Sequence, residues 1–175
     1  LYTAHLQYHL SDNYLRFYLK YIAPNHSSIE KETFSTLTTQ LPGWESIMGL
    51  QFENLVVHNR KIVWKMLGIS PEEIVMEGPF FQTHTTKQAG CQIDYMIQTR
   101  FLSLYICEIK FSKSPVGYKV IEDLEKKRKA LKTPKNCSIR PVLIHVNGVE
   151  DRVIDERYFD KIIDFGQLLE YKITY

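Results

Sequence analysis

Residues 90–97 read Gly90-Cys91-Gln92-Ile93-Asp94-Tyr95-Met96-Ile97, and residues 104–111 read Leu104-Tyr105-Ile106-Cys107-Glu108-Ile109-Lys110-Phe111. Both runs are rich in β-branched and aromatic side chains, so both predict strands, joined by a hairpin that turns at Arg100 to Leu102. Symmetric pairing about Phe101 sets Asp94 directly opposite Glu108, on one face of the ladder. Period two adds Lys110 to that face, one step beyond Glu108. The other face carries Ile93, Tyr95 and Ile97 against Tyr105, Cys107, Ile109 and Phe111. It is a core face, and a one-residue slip would bury all three charges in it, so the register is well specified. Two opposed carboxylates repel unless a cation lies between them or one takes up a proton. Lys110 supplies part of that charge. The geometry also suits a hard divalent ion, Mg²⁺ or Mn²⁺, with Asp94 and Glu108 as oxygen ligands. Such an ion makes water more acidic and neutralises charge growing on a phosphoryl oxygen, and a lysine beside it orients that water or stabilises the transition state.

Outward from the hairpin, further strands are expected over 74–81 and 139–146, with a helix over 118–131 whose apolar side is Val120, Ile121, Leu124 and Leu131. Upstream, Pro42-Gly43 opens one long helix running to Gly68, with Trp44, Met48, Phe52, Leu55, Val56, Ile62, Val63, Met66 and Leu67 at three- and four-residue steps. A further helix over 11–22, capped by Ser11 or Asp12, carries aromatic and aliphatic residues nearly all round and so needs cover on several sides. Residues 26–41 predict a short helix or ordered loop, Asn147-Gly148 a turn, and 162–175 a closing helix or strand pair. The order helix, three strands, helix, strand predicts an α/β layer with a mixed sheet.

The pattern Asp94 followed by Glu108-Ile109-Lys110 on a hairpin, with Glu53 on the preceding helix in Gln51-Phe52-Glu53-Asn54-Leu55-Val56, resembles the PD-(D/E)xK nuclease superfamily, the restriction-endonuclease-like fold. The resemblance implies a mixed central sheet flanked by helices and Mg²⁺-dependent phosphodiester hydrolysis of nucleic acid, DNA first. It implies Asp94 and Glu108 as metal ligands, Lys110 near the attacking water and Glu53 as an auxiliary acid. Two positions depart from the pattern: Ile93 stands where the superfamily's variable proline falls, and no glutamine occupies the following helix, which leaves Lys119 or Lys126 to serve there. The runs at 11–25, 49–59, 90–98 and 104–116 also look like the C-terminal part of a prokaryotic family of AAA-type ATPases. That likeness implies an N-terminal ATPase module of the same parent protein as a partner, with 1–41 a helical segment towards it and 42–175 the nuclease-like domain. No GxxxxGK[ST] occurs, so no ATP site belongs to this chain. A start at Leu1 fits a piece of a longer protein.

Composition excludes a disordered chain or a rod, since 44% of residues are hydrophobic and 13% aromatic. With 22 Lys+Arg against 20 Asp+Glu, any nucleic-acid surface has to be local. Lys113, Lys119, Lys126 and Lys127, near the Glu108 site, suit a phosphate backbone. Glu122 with Lys126 and Glu125 with Lys129 are i,i+4 pairs that suit a solvated helix face. No base-reading module is visible. No apolar run approaches the roughly 20 residues of a membrane span and no signal peptide precedes, which predicts a cytoplasmic protein with no membrane partner. Cys91, Cys107 and Cys137 cannot all pair and lack ligand spacing, so they read as reduced packing residues. His5 and His9 are four apart with no third ligand, which does not make a zinc site. The competing reading is an inactive nuclease-fold module that docks on the ATPase or another protein. In that case the charges form a structural cluster and the 11–22 helix exposes an apolar patch.

Overall fold

The structure, a computed structural model, describes residues 12–37, 40–164 and 166. His5, His9 and Ser11 lie outside the described residues, as does most of the expected closing element over 162–175. Asp12 is the cap that opens the first helix, its carboxylate accepting the Leu15 N–H at 2.8 Å. Helix α1 (Asn13–Phe17) continues through a wide π-type turn at Tyr18–Ile22 and a 3-10 turn at Ala23–Asn25 into α2 (His26–Glu30). Phe17 and Tyr21 turn inward onto Leu41, Trp44 and Ile47, and the Tyr21 hydroxyl donates to the Pro42 carbonyl at 2.8 Å. Tyr14, Leu15 and Leu19 stay exposed.

The single helix expected from Pro42 to Gly68 is in fact two, α3 (Trp44–His58) and α4 (Arg60–Leu67). Asn59 separates them: its side-chain amide donates to the Leu55 carbonyl at 2.8 Å while its backbone leaves the helical region at φ −99°, ψ 24°. Asparagine competes with the helix for its own carbonyls in this way. A Schellman closure ends α4, with Gly68 at φ +69°, its N–H on the Lys65 carbonyl and the Ile69 N–H on the Trp64 carbonyl.

Five strands follow: β1 (Ile74–Gln82), β2 (Cys91–Thr99), β3 (Ser103–Lys110), β4 (Ser138–His145) and β5 (Lys161–Asp164). They lie side by side in chain order. β1, β2 and β3 are antiparallel, whereas β3–β4 and β4–β5 are parallel, joined across α5 (Lys119–Ala130) and α6 (Asp151–Asp155). Parallel neighbours need such crossovers. The fold is α/β with a mixed sheet flanked by helices; it contains the helix, three strands, helix, strand order that the residue pattern predicts, followed by α6 and β5.

Both faces of the sheet are dry. On one, Phe52, Val56 and Val63 of α3 and α4 pack on Tyr95, Ile97, Cys107, Ile109, Val142 and Ile144. On the other, Leu124 packs on Ile93, Met96, Leu104 and Ile106, while Val120 and Ile121 meet Leu143 and Val153. Double burial is why the central strands read as nearly continuous apolar runs. Gln82, at the end of β1, ties this second layer down: its amide donates to the Ala89 and Ala130 carbonyls at 2.7 Å each and accepts the Lys132 N–H at 2.9 Å. It thereby satisfies a carbonyl that the end of α5 would otherwise leave open.

Tyr95 is fully buried, and its hydroxyl accepts the Trp64 indole N–H at 2.8 Å, joining α4 to the sheet. Tyr95→Phe leaves that donor without its acceptor, so a loss of about 1–2 kcal/mol is expected in urea unfolding.

Candidate active site at the end of the hairpin

The hairpin register is centred on Phe101, with Gln98 opposite Leu104, Ile97 opposite Tyr105 and Tyr95 opposite Cys107. Asp94 and Glu108 each lie one step beyond that last pair, where the ladder itself stops. The β1 side is irregular at the same place. Between Gly78↔Met96 and Phe80↔Ile93 the ladder advances two residues on β1 and three on β2. Pro79, which stands in this gap on the edge strand, has no N–H to lose there. The extra residue turns Ile93 onto the α5 face beside Met96, away from the Tyr95 face where simple alternation expected it. It also frees the Asp94 side chain to do what the ladder no longer does. Asp94 Oδ2 accepts the Ile109 N–H at 2.9 Å.

Glu108 and Lys110 follow Leu104 and Ile106 on the α5 face. The Glu108 carboxylate is 1% exposed and engaged at both oxygens, Oε1 by Lys110 Nζ at 2.7 Å and Oε2 by Lys127 Nζ at 2.6 Å. Lys127 also lies 3.6 Å from Asp94 Oδ1. Two acids from neighbouring strands and two ammonium groups, one from the strand and one from α5, therefore meet at a single point. Glu53 approaches from the opposite layer, on α3 next to the buried Phe52, and is half-buried within the field of all four.

Burial, and then the charge of Glu108, raise the Asp94 carboxyl above its ordinary range, and Lys127, the Ile109 N–H and Lys110 do not fully offset them. Burial and then Asp94 push Glu53 up to about 7, Glu108 adding to the rise and Lys110 and Lys127 opposing it. Burial works against the Lys110 ammonium, but Glu108, Asp94 and Glu53 together outweigh it and its pKa rises. Burial leads at both acids, and the crowding of carboxylates adds to it.

The raised Glu53 pKa has a measurable consequence. Between the ordinary glutamate value of 4.5 and about 7, the folded chain keeps a proton on Glu53 that the unfolded chain has shed. Stability therefore falls as pH rises across that window. With the linkage of about 1.4 kcal/mol per pH unit reduced by solvent screening at this half-buried side chain, Glu53→Gln is expected to be more stable than the wild type by about 1–2 kcal/mol above pH 7. Below pH 4.5 the two should melt alike. Chemical denaturation at pH 4 and pH 8 reads the difference directly.

The other lysines singled out from the sequence are dispersed. Lys113 pairs with Glu45 at 3.4 Å and Lys126 with Asp123 at 3.3 Å, both in solvent; Lys126 does not use Glu122 as the i,i+4 pattern expected. Glu125 binds Arg128 at 2.6 Å and Lys129 at 3.7 Å. Lys119 lines a cavity of about 330 Å³ beside Lys110, with Ser112, Ser114 and Gly117. The α5 residue that reaches the carboxylates is Lys127, neither Lys119 nor Lys126. A signal for this was present: Lys127 follows Val120 by seven residues and Leu124 by three, which places a lysine on the apolar stripe of the helix.

Among the described residues no group of three or more His, Cys, Asp and Glu side chains forms a metal-holding cluster, and the three cysteines are free, Cys107 being buried. No described helix is long and apolar enough to cross a membrane. No protein-family model and no curated protein matches the chain. Among solved structures it is similar to a repair endonuclease from Pyrococcus abyssi, at 12% identity and a TM-score of 0.41, over 63% of this chain and 43% of that one. It is also similar to the Vibrio cholerae protein VC1899, at 16% identity and a TM-score of 0.49, over 82% of this chain and 38% of that one. The chain thus spans about two fifths of the length of each.

Proposed function

We propose that this domain hydrolyses phosphodiester bonds of nucleic acid, DNA in the first instance, using a divalent ion held by Asp94 and Glu108. The observation that carries the reading is the meeting of these two carboxylates with Lys110 and Lys127 at the end of the β2–β3 hairpin. The donor set fits a hard cation: carboxylate oxygens only, with Asp94 and Glu53 both pushed upward by burial first and by a neighbouring carboxylate second. Two protein carboxylates suffice for Mg²⁺ or Mn²⁺, because Mg²⁺ in particular is commonly completed by water and substrate phosphate oxygens. When bound, the ion supplies Lewis acidity, making water more acidic and offsetting charge on a phosphoryl oxygen.

The chain's own residues supply the rest. The Ile109 N–H and the bulge at Asp94 fix one carboxylate, and burial at the sheet centre fixes the other. Lys110 is 41% exposed and held at one end by Glu108, so its remaining protons face an incoming phosphate and stabilise its transition state. Glu53, which titrates near neutrality, takes up or returns a proton beside the reaction. Lys119, with Ser112 and Ser114, receives a neighbouring backbone phosphate in the adjoining cavity, while Lys113 and Lys126 add long-range attraction.

In this reading the domain works in the cytoplasm, tethered to an AAA-type ATPase module. Exposed Tyr14, Leu15 and Leu19 form the apolar surface for that module. The same surface favours the second reading, a docking module without catalysis, in which Lys110 and Lys127 neutralise Glu108 permanently. Incubation of the protein with circular DNA and with RNA, in Mg²⁺ or Mn²⁺, separates the two. The nuclease reading expects cutting by the wild type and none by Asp94→Asn. Intact substrate under every condition, or equal cutting by both proteins, leaves the docking reading.

A further inference from the structure

We infer that Lys127 is a built-in occupant of the cation seat, which a divalent ion has to displace before the site is loaded. The inference rests on the metal-dependent reading above and adds a gating step to it. Lys127 differs from Lys110 in its contacts. Lys110 Nζ meets Glu108 Oε1, whereas Lys127 Nζ bridges Glu108 Oε2 at 2.6 Å and Asp94 Oδ1 at 3.6 Å, the same pair of carboxylates that would hold the ion.

The two cations exclude one another. An ammonium and a dication sharing two buried carboxylates lie within a few ångströms, where like charges repel strongly in a weakly screened interior. One of them has to leave. Lys127 has the route, because its side chain is 25% exposed and its four-carbon arm rises from α5, anchored one turn earlier by the fully buried Leu124. The helix stays in place while the ammonium swings out.

Displacement has a direction in energy. The apparent metal affinity equals the intrinsic affinity multiplied by the fraction of molecules in which Lys127 has left. Once released from the two carboxylates, Lys127 reaches the rim of the site, free to meet a phosphate oxygen of the substrate. Metal and nucleic acid then strengthen each other's binding.

The test uses Mn²⁺ alone, titrated calorimetrically into the wild type, Lys127→Met and Lys127→Gln. Gln keeps an N–H donor for Glu108 and guards against a Met variant that fails to fold. Removal of the competitor is expected to tighten Mn²⁺ binding by roughly tenfold or more, as for a wild type that is open about a tenth of the time. In the wild type, acylation of Lys127 followed by mass spectrometry is expected to accelerate when Mn²⁺ is added. Unchanged or weaker Mn²⁺ binding in a folded variant overturns the inference, as does Lys127 acylation that Mn²⁺ leaves unchanged or slows. Tighter binding in the variants together with no DNA cleavage by the wild type leaves displacement standing and removes the nuclease reading. Mn²⁺ binding that survives Asp94→Asn with Glu108→Gln removes both.

Discussion

Lys110→Ala is expected to keep its fold and to lose at least about 10²-fold in DNA cleavage, the scale of removing one well-placed electrostatic donor from a transition state. The fold survives because Lys110 is 41% exposed at the end of β3, and because Glu108 keeps a second partner in Lys127 at 2.6 Å. Thermal melts of the variant and the wild type should nearly coincide. The loss should be in turnover more than in substrate binding, since one lysine among several contributes little to holding a polyanion but acts at the reacting phosphate. Lys110→Arg should restore the charge without restoring the rate, because the guanidinium is a planar fork where a compact ammonium is needed. A variant that melts far below the wild type would mean that Lys110 supports the sheet more than the chemistry.

Leu124→Ala carries the largest expected effect on stability, about 2–5 kcal/mol. Leu124 is fully buried and is the contact through which α5 rests on Ile93, Met96, Leu104 and Ile106. No polar group needs rearranging around it, so the cost is the lost transfer energy plus the cavity left behind. For a domain of this length the melting temperature should fall by roughly 2–4 °C per kcal/mol. Cleavage should fall further than the unfolded fraction explains, because the strands that carry Asp94 and Glu108 lose the helix packed on them. Lys126→Ala, on the solvent face of the same helix, should change stability by no more than a few tenths of a kcal/mol, since exposed ion pairs contribute little.

How far the sequence disclosed this arrangement depends on the range of each interaction. The hairpin register was legible because it is local: a turn at Arg100 to Leu102 and two alternating runs leave Phe101 as the only sensible centre. The order of elements was legible for the same reason. The break at Asn59 was missed because apolar spacing continues across it, while the cause is one side chain folding back on its own helix. The bulge was missed because alternation cannot count an inserted residue. Its trace is Pro79, on a different strand from the Asp94 it helps to reorient. The sequence groups Lys127 with Lys113, Lys119 and Lys126 as a phosphate-backbone contact, although it lies on the helix stripe shared with Val120 and Leu124. Its two acidic partners, Asp94 and Glu108, come from strands far from it in the chain. Glu53 is named by the family resemblance alone; its raised pKa comes from burial and from its proximity to Asp94, Glu108, Lys110 and Lys127, which no spacing in the chain expresses.

The most direct trial of the shared metal seat is calorimetric titration of Mn²⁺ into the wild type and into Asp94→Asn with Glu108→Gln, with both proteins shown folded by circular dichroism. The account predicts saturable binding by the wild type and none above background in the double variant. Identical heats in the two proteins would contradict it.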